Sequence, residues 1–302
     1  MPWAAGSGDR GAVAIPSPAP LAVLMISLNE AHNMEAVLEN LAGFASEVVL
    51  VDSYSSDETV DIALRHGARV IQRRFRGFGD QWNFAMQVPV GAPWSMKLDP
   101  DERLTEELKA SIRALVAGDE ADAALVRRRL WFMGRPLTVK QDILRIWRTG
   151  ACRFSDVLVN EHPIVEGRTT LLRGDLEHHD SPSLHHWFEK QNAYSTAEAL
   201  SAWRNVPLAA TPRLAGTRLE RRMWLKRLAL GAPFAPTMMF LYCLLGMGAW
   251  RAGSVGLIWA HLRADVWRWR GYKRREFALR GYASEPPRPR LGGAHPGAQQ
   301  AD

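Results

Sequence analysis

Two carboxylates, Asp99 and Asp101, flank Pro100 at the end of a short apolar run, Trp94-Ser-Met-Lys-Leu98. A pair spaced this way can share one divalent cation. Mg²⁺ and Mn²⁺ take hard oxygen ligands, and Mg²⁺ commonly combines one or two carboxylates with substrate phosphates. An ion held there would offset negative charge on a departing diphosphate. Aspartate before a helix is also an ordinary N-cap or turn residue. The tripeptide alone leaves both readings open.

Other polar residues sit at comparable places. Asp52 ends the run Val48-Val-Leu-Val51, where a carboxylate can accept hydrogen bonds from a ribose or a base N–H, or cap a turn. Asn29 and Glu30 occupy the turn after Leu21–Ile26 and carry the same two readings. The stretch Phe75-Arg-Gly-Phe-Gly-Asp-Gln-Trp-Asn83 mixes glycines with amides. Its glycines permit close backbone approach, and Gln81 and Asn83 can orient polar groups; by itself the stretch reads as a loop. Glu161, between Asn160 and His162, can act as a general base or stand as a solvated strand-end carboxylate. His178 and His179 end a strand-like stretch, and adjacent imidazoles project differently, so one of them at most serves a given metal. No GxGxxG, P-loop or GxSxG pattern occurs, and no nucleophile set accompanies the histidines.

The elements that must position these residues are legible from spacing. Strand-like runs at Leu21–Ile26, Val48–Val51 and Ala68–Ile71 alternate with helical patterns around Met34–Leu41 and Glu58–His66. Strand–helix–strand–helix–strand predicts a parallel sheet flanked by helices, with ligands at the carboxyl ends of the strands. Trp94–Leu98 is a fourth strand, followed by a helix from about Thr105 to Val116 and by strands near 122–130 and 143–148. After Trp187 the chain turns helical. The expected layout is a flexible lead over 1–20, an α/β domain over 21–205, a basic helical extension over 206–283 and a disordered tail over 284–302. Residues 1–20 lack the cationic and apolar regions of a signal peptide.

The 302 residues carry 47% hydrophobic and 23% charged side chains, which excludes a globally disordered chain. Two cysteines, Cys152 and Cys243, exclude a disulfide scaffold. The net charge of +6 is unevenly placed. From Arg213 to Arg275 thirteen Lys or Arg face only Glu220 and Asp265, so the rest of the chain is net acidic. Leu228 to Trp250 is 23 residues long without a charge, and five of the twelve tryptophans lie in this third. Uncharged length, Trp and Arg together suit a lipid interface. The segment is expected to rest on the cytoplasmic face of a membrane; a nucleic-acid partner is not expected, because no recognition motif accompanies the charge.

Taken in order, the motifs resemble the family 2 glycosyltransferases of the GT-A fold, and within them the bacterial subgroup that builds lipopolysaccharide core and related surface glycans. The resemblance rests on Ser27-Leu-Asn-Glu30, Val51-Asp-Ser-Tyr-Ser-Ser-Asp57, Gly77-Phe-Gly-Asp-Gln-Trp-Asn83, Leu98-Asp-Pro-Asp-Glu102 and Val159-Asn-Glu161, and covers roughly residues 20–275. It implies that Asn29, Glu30, Asp52, Gln81, Asn83 and Asp99 hold a nucleotide-diphosphate sugar. It implies that Asp101, with Asp99 and His179, binds Mg²⁺ or Mn²⁺, and that Glu161 is the general base. The chemistry implied is one inverting displacement onto a lipid-linked glycan. Pro100 stands where the subgroup usually has Ala, and Asn160 where it usually has His. The Gln-x-x-Arg-Trp motif of processive synthases is absent, which fits one sugar per event. A polyprenyl-phosphate acceptor and a non-catalytic nucleotide-sugar-binding protein at a membrane surface are the competing readings.

Overall fold

The computed structural model of the chain describes residues 17–154, 162–204, 211–217, 220–221, 223–224, 232 and 234–280. The expected lead and tail lie outside them, apart from a few residues next to β1. So do Asn160, Glu161 and much of the stretch between 205 and 233.

The first strand, β1 (Ala19–Ser27), is buried almost continuously. That is the signature of a central strand covered on both faces. It pairs in parallel with β2 (Ala45–Asp52) on one side and β4 (Trp94–Lys97) on the other. A third strand, β3 (Arg69–Gln72), extends the sheet beyond β2. The side chains of β1 alternate. Leu21, Val23 and Met25 join one core with Met34, Val37 and Leu41 of α1 (Ala31–Leu41) and Leu108 and Ile112 of α4 (Glu106–Ala117). Leu24 joins a second core on the opposite face with Val49, Val51, Trp82, Trp147 and Phe154. Between β2 and β3 runs α2 (Thr59–Arg65), after which Gly67 adopts φ +76°.

The other half of the sheet is mixed. β7 (Arg135–Arg148) runs antiparallel to β4 and to β6 (Ala123–Phe132). β10 (Thr169–His179) runs parallel to β6, and the three-residue β5 (Glu102–Leu104) closes the edge antiparallel to β10. The strand order is β3-β2-β1-β4-β7-β6-β10-β5. The register of β10 shifts between Leu171 and Asp175, around Gly174 at φ +86°. A Cβ on Gly174 would stand 2.3 Å from the Leu108 amide nitrogen, so only glycine lets β10 pass this close to α4. A second sheet pairs β8 (Cys152–Phe154) with β9 (Pro163–Val165).

One expectation is overturned. The Phe75–Asn83 stretch is a loop only as far as Gly77: Phe78–Gln87 is a helix, α3. Gly77 turns the chain at φ +149°, and burial of Gly79, Gln81, Trp82 and Ala85 on one face holds the helix against the sheet. Tertiary burial here outweighs the weak helix propensity of glycine and aromatics.

The C-terminal region is helical and continuous with the sheet. α5 (Leu184–Trp203) is capped by the Ser183 hydroxyl, which accepts from the His186 amide. α6 (Ala235–Leu241) runs into a π-helical turn at Tyr242–Gly246 and a 3₁₀ turn at Ala249–Ala252, then into α7 (Gly253–Arg280). A third core joins Phe132, Leu137 and Val139 of the sheet to Trp187, Cys243, Trp259 and Val266. Lys273 of α7 donates to the Asn192 carbonyl, Asn192 Oδ1, Ser195 and Thr196 at 2.6–2.8 Å, which ties α7 to α5.

Candidate active site

The turns after β1 and β2 are stitched together at the carboxyl end of the sheet. Ser27 donates to Asp52 at 2.8 Å across the parallel pair. Asn29 takes a left-handed backbone, φ +56°, which Asn tolerates better than most residues. Its amide donates to Ser55 Oγ, and its side-chain oxygen accepts from the Ser56 amide, both at 2.8 Å. The Glu30 amide donates to Thr59 Oγ1 at 2.8 Å. This double turn presents the Glu30 carboxyl toward the turn after β4. Burial, with Asp101 and Asp99 nearby, pushes that carboxyl up to about 7 against the pull of Asn33 and Lys190.

The turn after β4 is built on a buried ion cluster. The Asp99 amide donates to Glu102 Oε2 at 3.0 Å, and the Glu102 amide returns to the Asp99 carbonyl at 2.9 Å. Arg145 of β7 reaches in from behind and donates to Asp99 Oδ2 at 2.8 Å and Glu102 Oε1 at 2.5 Å. Burial opposes the charge on Asp99, but Lys97 and Arg145 outweigh it and hold the carboxyl below its usual range. Arg103 donates to the carbonyls of Pro100, Glu102 and Asn33, fastening the turn to α1.

Asp101 is nearly buried, and its carbonyl accepts from the His179 amide at 2.8 Å, which extends the β5–β10 pairing by one bond. Its Oδ2 accepts from His178 Nε2 at 3.2 Å and Lys190 Nζ at 3.4 Å. Its Oδ1 is buried and has no hydrogen-bond partner among the described residues, and neither has His178 Nδ1. A buried acceptor without a donor is costly, so an orphaned carboxylate oxygen points to an absent cation or donor. Asp101, His178 and Asp180 each offer a ligand atom, all within 4.8 Å of one another. The two carboxylates are the hard oxygen donors that Mg²⁺ and Mn²⁺ take, and the orphaned oxygen fits such an ion. Burial works against the charge on Asp101, but His178 and Lys190 more than offset it and keep the carboxyl ionised far below the usual range.

The structure therefore brings Asp99, Asp101 and Glu30 together. The ring against Asp101 belongs to His178, not His179. Neighbouring strand residues face opposite sides, so His179 turns away and stacks on Trp131, its register partner on β6, with centroids 4.7 Å apart. Asp52 is fully buried, with its carboxylate accepting from Ser27, Ser55 and Gln72, so it braces the double turn from behind. Gln81 accepts from Arg73 and donates to Ser53. Asn83 exchanges hydrogen bonds with the Phe154 backbone, at 2.7 and 3.1 Å. Both amides are spent within the protein. Glu161 lies outside the described residues. Asp180 and Lys190 were not singled out by their sequence context. Only the folding of α5 over the end of β10 places Lys190 at Asp101, 89 positions away.

From the residue before α6, through the two turns that follow it, to the start of α7, the chain exposes a run of apolar side chains: Phe234, Met238, Tyr242, Leu245, Trp250 and Leu257. Arg251 is the lone charged residue between 234 and 258. Among the described residues no single helix is long and apolar enough to cross a membrane. The segments Ala235–Gly246 and Ala249–Arg280 reach that length and apolarity together, bent by 70°.

Comparison with known proteins places residues 22–177 in a match to "Glycosyl transferase family 2". The chain is 30% identical over 251 residues to the lipopolysaccharide core biosynthesis glycosyltransferase LpsC of Rhizobium meliloti, covering 79% of this chain and 86% of LpsC. It is 26% identical over 195 residues to an uncharacterized glycosyltransferase of Rickettsia typhi, covering 59% of this chain and 66% of that protein, just under two thirds of its length. Among solved structures, S. aureus TarS 1–349 in complex with UDP-GlcNAc superimposes with a TM-score of 0.41 at 15% identity, covering 87% and 93% of the two chains.

Proposed function

The chain belongs to glycosyl transferase family 2 and is a nucleotide-sugar-dependent glycosyltransferase, and we propose that it moves one sugar, with inversion and divalent-metal dependence, onto a lipid-anchored glycan. The observation that carries this reading is Asp101: a nearly buried, ionised carboxylate with one orphaned oxygen, grouped with His178 and Asp180 at the end of the sheet.

In this reading Asp101, His178 and Asp180 hold the metal, and Asp99 orients the sugar nucleotide beside it. When bound, the ion offsets the charge that develops on the leaving diphosphate. The double turn at Asn29 and Glu30 seats the nucleoside, while Asp52, Gln81 and Asn83 keep its walls rigid. Glu161 takes the proton from the acceptor hydroxyl, as its place in the family motif implies; the hydroxyl then attacks the anomeric carbon from the face opposite the diphosphate. The acceptor class is supported by the similarity to LpsC, a lipopolysaccharide core glycosyltransferase. It is supported also by the apolar run from Phe234 to Leu257 beside a basic α7, a surface suited to a bilayer interface. The layout of a catalytic domain over 21–205 with a membrane-proximal extension over 206–283 is part of the same proposal.

The test is donor hydrolysis across a panel of sugar nucleotides, with and without Mn²⁺ or Mg²⁺, alongside calorimetric donor binding. Metal-dependent release of nucleoside diphosphate from one donor supports the reading and identifies the sugar. Absence of both release and metal-dependent binding for every donor overturns it.

A further inference from the structure

We propose that the ammonium of Lys190 is the resident cation of the Asp101–His178–Asp180 cluster, and that a divalent ion enters the cluster by displacing it. The inference rests on the reading of this cluster as the metal site of sugar transfer.

The geometry is specific. Lys190 Nζ donates to Asp180 Oδ1 at 3.0 Å, to the Asp180 carbonyl at 3.1 Å and to Asp101 Oδ2 at 3.4 Å. Two of the three side chains that could bind a metal therefore already share one positive charge. Asp101 Oδ1 and His178 Nδ1 are left without partners among the described residues. A divalent ion added beside an undisturbed Lys190 would set at least three positive charges against two carboxylates in a poorly solvated site. Like charges at such distances repel strongly. The ammonium must leave for the ion to stay.

Lys190 is built to leave. A lysine is a point charge on a flexible four-carbon stem, unlike the planar fork of arginine. Its side chain retains about a quarter of its exposure, which gives it a way out to solvent. It stands seven positions into α5, a helix held from outside by Lys273, so the backbone need not move. In the metal-free protein the ammonium keeps Asp101 and Asp180 from facing each other uncompensated. Charge balance at the acidic turn is then maintained before the ion arrives.

The experiment titrates Mn²⁺ alone into the full chain and into Lys190→Met, by calorimetry and by the paramagnetic resonance of free Mn²⁺. Removing the competing charge should tighten Mn²⁺ binding by ~10-fold or more. Lys190→Met should also melt lower than wild type without Mn²⁺ and regain the loss with it, while wild type shifts less. If Lys190→Met folds only with Mn²⁺, the proposal is supported; if it does not fold even then, Lys190→Gln takes its place in the same titration. Equal or weaker Mn²⁺ binding in the folded variant overturns the displacement, while Asp101-dependent binding in wild type would leave the metal-site reading intact. Absence of Mn²⁺ binding to wild type and variants alike, or binding unchanged by Asp101→Asn, would remove that reading and the displacement with it.

Discussion

Arg145 Nη2 lies 2.5 Å from Glu102 Oε1, and both side chains are almost wholly shut off from water. Glu102 closes the Leu98–Glu102 motif without a role assigned to it there, and Arg145 lies outside the motifs. Yet this pair sets the floor of the turn that carries Asp99 and Asp101, because the same guanidinium also donates to Asp99. Breaking a buried ion pair from one side leaves an uncompensated charge. Arg145→Met should therefore lower unfolding free energy by about 3–5 kcal/mol in denaturant titrations. The double variant Arg145→Met/Glu102→Gln should recover part of the loss. Additive losses would show that the two side chains do not act as a pair.

Asp101→Asn removes the charge that the proposed ion depends on. Turnover should fall by ~10²-fold or more, since a charge placed in advance at the leaving group is lost. Near-wild-type turnover with the metal requirement intact would reject the assignment.

Glu161→Gln separates two acceptor classes. A hydroxyl acceptor needs a base, so kcat should drop by ~10²–10⁴-fold with donor affinity unchanged. A phosphate acceptor needs none, and a variant that retains its activity would shift the reading to polyprenyl phosphate.

Glu30 makes stability depend on pH. Its carboxyl is raised in the fold from 4.5 to about 7, so between those values the folded chain binds more protons than the unfolded one. Stability from this group is complete below about 4.5 and is lost as pH rises through about 7. Glu30→Gln should therefore gain melting temperature relative to wild type at pH 8 compared with pH 5. A difference that does not change with pH would contradict a Glu30 carboxyl raised by burial and by the nearby charges of Asp101 and Asp99.

The apolar run on α6 and the following turns should govern attachment to lipid. Met238→Glu with Leu245→Glu places two charges on its exposed face. Co-sedimentation with anionic vesicles should weaken by ~10²-fold, on the scale of two large apolar side chains withdrawn from a bilayer interface. Unchanged sedimentation would assign attachment elsewhere.

What could be read in advance followed from periodicity. Met34, Val37, Leu38 and Leu41 announce α1 by spacing, and all four are buried. β1, β2 and β4 are apolar runs that end in polar turns, and these turns form the site. α3 was hidden because Gly77 and Gly79 look like loop residues until Trp82 and Ala85 find the sheet. Gln81 and Asn83 have the chemistry of ligand contacts, but their partners, Arg73 and Phe154, are known only once the strands are paired. The choice between His178 and His179 depends on which face of β10 meets the β5 turn, a one-residue question of register that composition does not answer. The 70° bend falls at the break between Gly246 and Ala249, where Gly246 and Gly248 interrupt one apolar stretch, and length alone could not separate it from a straight span.

Both margins of the large sheet are short. β5 has three residues and β3 has four, with Arg69 in β3 and Arg73 and Arg74 just after it. An open sheet edge is a template on which another chain can add a strand, and short charged edges deny it that footing. For this protein the defence against aggregation and the placement of the acidic turn have one origin. β5 is brief because the chain leaves the edge almost as soon as Asp101 has been delivered to it.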